Sequence, residues 1–140
     1  MGYAAQTAKT LALSRQKVFA HLVDFGGVGK LLPDDVESVQ LRGEGIGSVR
    51  SIRLKGADGA LEERLEAAVD EHVMSYSLIV NTVLPVENYH AVVVLTDAPG
   101  GGCHIQWSSN WVAKGAPEAE VRAMLEGLYG KLIDGIERVG

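Results

Sequence analysis

RSIRLKGADGALEERLEA, residues 50–67, reads as two strands folded back on Asp58-Gly59. Asp-Gly between alternating apolar residues is a hairpin signal, because the tight turn requires positive φ at its central positions. With that dipeptide centred in a two-residue turn, Leu54 stands opposite Glu63, Ile52 opposite Leu65, and Arg50 opposite Ala67. The other face pairs Lys55 with Glu62 and Ser51 with Glu66, which is the wet side. Strand side chains alternate between faces, so this register predicts which residues look inward.

The same reading extends in both directions. A corner at Glu71-His72 pairs Val69 with Met74, Ala67 with Tyr76, and Leu65 with Leu78. A corner at Gly100-Gly101 pairs Leu95 with Ile105, Val93 with Trp107, Ala91 with Ser109, and Tyr89 with Trp111. The face opposite that last set, His104, Gln106, Ser108 and Asn110, is polar. Upstream, Ala4 to Leu13 suits a first strand. Ser14 is an N-cap for a helix to about Asp24, with Val18, Phe19, Leu22 and Phe25 at helical spacing. Gly26, Gly27 and Gly29 break it, and Pro33 ends the short helical turn that follows. Downstream of Pro117 the period is helical again, with Val121, Leu125, Leu128, Tyr129, Leu132, Ile136 and Val139 on one face. The predicted order is strand, helix, short helix, six strands, long helix. Strands joined by hairpins make an antiparallel sheet, and the long amphipathic helix needs that sheet to cover its stripe.

Composition narrows the function. The 140 residues are 46% hydrophobic and 22% charged, with no repeat or linker, so one domain over residues 1–140 is expected. A net charge of −5 without a basic block disfavours nucleic acid and anionic membrane partners. The single Cys103 excludes an internal disulfide. Met1 to Thr10 lacks the order of a signal peptide, and no apolar run approaches the ~18 residues of a membrane span. A cytoplasmic location is expected. His21, His72, His90 and His104 are scattered without metal-ligand spacing, so no metal is predicted. Gly26 to Lys30 fails as a phosphate loop, because Asp24 stands at the first glycine's offset and Leu31 replaces the Ser or Thr.

Several stretches, in order, carry a family resemblance. They are Val23-Asp24-Phe25-Gly26-Gly27 closing on Leu32-Pro33, Gly47-Ser48-Val49-Arg50, Glu63-Arg64-Leu65 and Ser75-Tyr76-Ser77. Leu84-Pro85-Val86-Glu87-Asn88-Tyr89 follows, then Gly101-Gly102 leading to Trp107-Ser108. On these the chain resembles the SRPBCC superfamily (START, Bet v 1 and polyketide cyclase-like proteins), in its bacterial polyketide cyclase/dehydrase and lipid transport branch. Where the branch has Trp before the first proline, this chain has Leu31-Leu32. The resemblance implies the α+β helix-grip fold: a seven-stranded antiparallel sheet wrapped round a long C-terminal helix, with two short helices between strands 1 and 2. It also implies a cavity between sheet and helix, no cofactor, and functions from carrier to cofactor-free cyclase, dehydratase or lyase.

The candidate site follows from the registers. If Tyr76 lies beside Ala91, one inward row reads Arg50, Ala67, Tyr76, Ala91, Ser109, its polar groups spaced by small alanines. Bulkier walls come from Ile52, Leu65, Tyr89, Trp107 and Trp111, and from Leu125, Leu128 and Leu132 of the helix. An apolar pocket with a few converging polar groups suits a small hydrophobic or aromatic ligand. Arg50 would fork to a ligand oxygen, or else pair with Glu63. Arg50, Glu63 and Tyr76 are the candidates for any chemistry, as oxyanion stabiliser and proton-moving groups. Each has an ordinary structural alternative in an ion pair or core packing.

Overall fold

A computed structural model describes residues 4–140; the first part of the stretch tested against a signal peptide, residues 1–3, lies outside them. Strand β1 (Ala5–Leu11) leads into helix α1 (Arg15–Val23), a 3-10 turn (Phe25–Gly27) and the short helix α2 (Val28–Leu31). Strands β2 (Val36–Arg42), β3 (Val49–Leu54), β4 (Leu61–Val69), β5 (Val73–Asn81), β6 (Val86–Asp97) and β7 (Cys103–Ala113) follow, and α3 (Glu118–Val139) closes the chain. Among the described residues the strands form one antiparallel sheet in the order β1-β7-β6-β5-β4-β3-β2. This is the helix-grip arrangement. No helix is long and apolar enough to cross a membrane among these residues.

Ser14 caps α1 as its sequence position predicts, its hydroxyl accepting from the Lys17 amide at 3.2 Å. On α3 the buried stripe is Val121, Leu125, Tyr129, Leu132, Ile133 and Ile136. Leu128 is half-buried, and Val139 is exposed.

The sheet registers divide by corner. The β6–β7 pairing is as predicted from Ala91–Ser109 to Leu95–Ile105, and Tyr76 does lie beside Ala91. At the start of β6 a bulge at Asn88, whose φ is 54°, ends the ideal register before Tyr89 can pair with Trp111.

The Asp58-Gly59 corner is not a two-residue turn. The connection runs from Lys55 to Ala60, and Arg50 pairs with Glu63 instead of Ala67. The loop is held from both sides. The Lys55 amide donates to the Asp35 carbonyl, and Ala60 exchanges hydrogen bonds with the amide and hydroxyl of Thr82. The slip along β4 is even, so the inward face survives it.

The β4–β5 corner departs in the other way. Its loop is Asp70–His72, with Asp70 and Glu71 both at positive φ. Arg15 holds it by donating from Nη1 to both their carbonyls and from Nε to Asp97. A bulge at Glu66 then separates Leu65, opposite Tyr76, from Ala67, opposite Ser75. Ala67 therefore stands on the outer face, and Ala68 takes the inward place beside Met74. The observed row is Leu65, Tyr76, Ala91, Ser109, Ala5, with Arg50, Glu63 and Leu78 in the row beside it.

Helix α3 meets α2 at Gly135, where a Cβ would lie 2.3 Å from the Leu31 carbonyl oxygen. Gly135→Ala is therefore expected to destabilise by about 1–3 kcal/mol through the forced shift of α2, despite alanine's better helix propensity. Gly130→Ala, whose Cβ would meet nothing within 4 Å, is expected to stabilise by about 0.5–1 kcal/mol. Urea unfolding of both variants checks the opposite signs.

Candidate functional site

Between the sheet and α3 lies a cavity of 370 Å³. Its sheet wall is built by the alternation of β3 and β4, which turns Arg50, Ile52 and Leu54, then Leu61 and Glu63, to the same side. Tyr76 and Tyr89 close its deep end, and Val28, Leu32 and Val36 its floor. Helix α3 covers it with Leu125, Leu128 and Leu132, while Ala123, Met124 and Gly127 form the rim with Leu84. At the mouth Lys131 Nζ lies 3.5 Å from Asp35 Oδ2, an exposed pair worth little in energy.

The polar groups gather at the inner end. Arg50 is 4% exposed and Glu63 8%, and Nε of Arg50 donates to Glu63 Oε1 at 2.7 Å. Nη1 donates to the Phe25 carbonyl at 3.3 Å. The guanidinium carbon lies 3.8 Å from the centre of the Phe25 ring and 5.0 Å from that of Tyr76. The 3-10 turn after α1 is what carries Phe25, ring and carbonyl, to this position. Arg50 thus has charge, hydrogen-bond and aromatic partners at once, and both members of the pair border the cavity.

Behind this end is a block of aromatic rings. Tyr76 accepts a hydrogen bond from Trp107 Nε1 at 3.2 Å, and Trp107 stacks on Tyr129 with centroids 5.9 Å apart. The hydroxyls of Tyr89 and Tyr129 are hydrogen-bonded, and Tyr129 donates onward to Ser109 Oγ at 2.6 Å. Burial, chiefly, raises all three phenols, Tyr129 up to about 12. The Glu63 carboxylate adds to each shift. At neutral pH all three stay protonated.

Of the residues expected at the site, Arg50, Ile52, Glu63, Tyr76, Tyr89, Leu125, Leu128 and Leu132 border the cavity. Leu65, Ala91, Trp107, Ser109 and Trp111 are buried but do not, because the Tyr76, Tyr89 and Tyr129 rings fill the space in front of that half of the sheet. Ala67 is away from it altogether, turned outward by the Glu66 bulge. Sequence reasoning overlooked the part Tyr129 plays in the aromatic block behind the cavity, although a hydroxyl within an apolar stripe signals a buried partner. Phe25 and the Asp35–Lys131 pair depend on contacts between distant segments. Among the described residues no cluster of His, Cys, Asp or Glu could hold a metal ion.

Comparison with known proteins agrees with this architecture. The model of the family described as polyketide cyclase/dehydrase and lipid transport matches residues 4–139. No curated protein matches in sequence. Similar solved structures include XoxI from Bacillus cereus, at 20% identity and a TM-score of 0.83 over 99% of this chain and 95% of that one. Ara h 8.0201 aligns at 22% identity and a TM-score of 0.79, over 96% of this chain and 94% of its own. Norcoclaurine synthase from Thalictrum flavum, solved with dopamine and hydroxybenzaldehyde, aligns at 17% identity and 0.75, over 96% and 83%. At these identities the likeness is one of fold.

Proposed function

Because the chain belongs to the polyketide cyclase/dehydrase and lipid transport family, we propose that it binds a small hydrophobic or aromatic molecule between the sheet and α3. The observation that carries this reading is the 370 Å³ cavity, apolar along its walls, with polar groups gathered at its inner end and one exposed ion pair at its mouth. Pockets of this size and lining sequester apolar bodies and orient them by a few polar groups. Arg50, Glu63, Tyr76 and Tyr89 are the orienting groups in this reading, and Ile52, Leu125, Leu128 and Leu132 supply the apolar contact.

Binding of the neutral fluorophore N-phenylnaphthylamine tests it. Gly127→Leu and Leu128→Trp both add bulk to residues that border the cavity, and a Cβ at Gly127 meets nothing within 4 Å. Each variant is expected to weaken the fluorophore about tenfold or more, which is about 1.4 kcal/mol, with its melting temperature kept. Unchanged binding in both would place the fluorophore elsewhere and end the proposal.

A second reading, cofactor-free cyclase, dehydratase or lyase chemistry, is favoured by a phenol and an ion pair that border one cavity. There Tyr76 would give a proton, Glu63 would receive one, and Arg50 would hold a developing oxyanion. Tyr76→Phe separates the readings, since it would abolish turnover of a substrate while leaving binding of the apolar fluorophore intact.

A further inference from the structure

The charges at the cavity come in compensated pairs. Arg50 is bonded to Glu63 at the inner end, and Lys131 faces Asp35 at the mouth. These four are the charged side chains that border the cavity, so it has no net charge to offer a ligand. A carboxylate brought to the inner end would meet a guanidinium already neutralised by Glu63. It would leave one uncompensated negative charge in a buried site, with a desolvation cost of several kcal/mol.

The pair still has hydrogen-bonding capacity to spend. Arg50 uses Nε and Nη1, and Glu63 uses Oε1. Among the described residues Nη2 of Arg50 and Oε2 of Glu63 make no hydrogen bond, although the two side chains keep only 5% and 11% of their surface open. Their remaining donor and acceptor belong to one ion pair, so a ligand must answer with an acceptor and a donor close together. The Phe25 and Tyr76 rings lie against the guanidinium, so hydrogen bonds reach it at its edge.

Resting on the cavity reading above, we propose that the ligand is an uncharged molecule whose polar end carries a hydrogen-bond acceptor beside a donor. A primary amide, a hydroxy-ketone or an enolised diketone has this chemistry; a free carboxylate does not. A small aromatic body with one head group suits a cavity of 370 Å³.

Three naphthalenes substituted at the same ring carbon test this at neutral pH by calorimetry: naphthamide, naphthoate and ethylnaphthalene. Naphthamide is expected to bind about tenfold or more tighter than naphthoate and also tighter than ethylnaphthalene. Glu63→Gln keeps an acceptor for Arg50 Nε and removes the compensating charge, so it should raise the affinity for naphthoate relative to naphthamide by about tenfold. Naphthoate binding as tightly as naphthamide to the unaltered protein would overturn the head-group assignment and leave the cavity reading standing. Ethylnaphthalene equal to naphthamide would do the same. If none of the three binds and N-phenylnaphthylamine also fails, the cavity reading itself falls, and this inference with it.

Discussion

Arg50→Met is expected to cost the folded state about 3–5 kcal/mol, among the largest losses from any single substitution in the chain. Sequence alone leaves two roles open for Arg50, contact with a ligand or an ion pair with Glu63. The structure spends it on Glu63 and the Phe25 carbonyl, with both carboxylate and guanidinium nearly closed to bulk water. Removing the cation leaves the Glu63 carboxylate buried without its partner. A charge left unpaired in a site nearly closed to bulk water destabilises the fold. The double variant Arg50→Met/Glu63→Leu buries two apolar side chains in place of the pair. It is expected to recover most of the loss, because neither member is then stranded. Urea midpoints of the two single variants and the double variant form the cycle. An unchanged midpoint for Arg50→Met would mean that the pair contributes nothing to folding.

Alkaline unfolding should be steep. An unfolded tyrosine titrates at about 10, whereas burial raises Tyr129 to about 12 and raises Tyr76 and Tyr89 as well. Below pH ~10 both states keep their phenolic protons, so the contribution to stability is fully present. Above it the unfolded chain releases protons that the folded one retains, and stability falls. Each buried phenol contributes a slope of up to about 1.4 kcal/mol per pH unit, so three give about 4 kcal/mol per unit before Tyr129 begins to titrate. That rate exhausts the stability of a typical small domain within a few pH units. Urea unfolding across this range should show the fall, with phenolate absorbance rising together with loss of near-ultraviolet circular dichroism. Tyr129→Phe should reduce the slope by about one third between pH 10 and its folded value of about 12. Phenolate appearing at pH ~10 in a still-folded protein would show that the rings are accessible to hydroxide.

The long helix and the inward face were legible in the chain itself. The stripe through Val121, Leu125, Tyr129 and Ile136 repeats at a helical period, and a sheet must cover it. Inward strand positions such as Ile52, Leu65, Val93 and Ile105 follow from alternation, whose period of two tolerates any even slip. Hence the four-residue displacement at the Asp58-Gly59 corner left Arg50, Ile52 and Glu63 on the predicted side. Where a turn closes locally, as at Gly100-Gly101, even the partners from Leu95–Ile105 to Ala91–Ser109 came out as read.

Which inward residues meet was decided by tertiary contacts. Thr82 and Asp35 hold the Lys55–Ala60 loop open, and that length brings Glu63 opposite Arg50. Arg15, across the fold, pins the Asp70–His72 loop, and the nearby Glu66 bulge turns Ala67 outward. Three tyrosines from β5, β6 and α3 converge to fill one half of the sheet–helix space and leave the other half open. Alternation is a property of each strand by itself, whereas loop closure, bulges and the filling of a shared volume depend on segments far apart in the chain. The local pattern therefore determines which face a side chain occupies, and only the folded whole determines what it touches there.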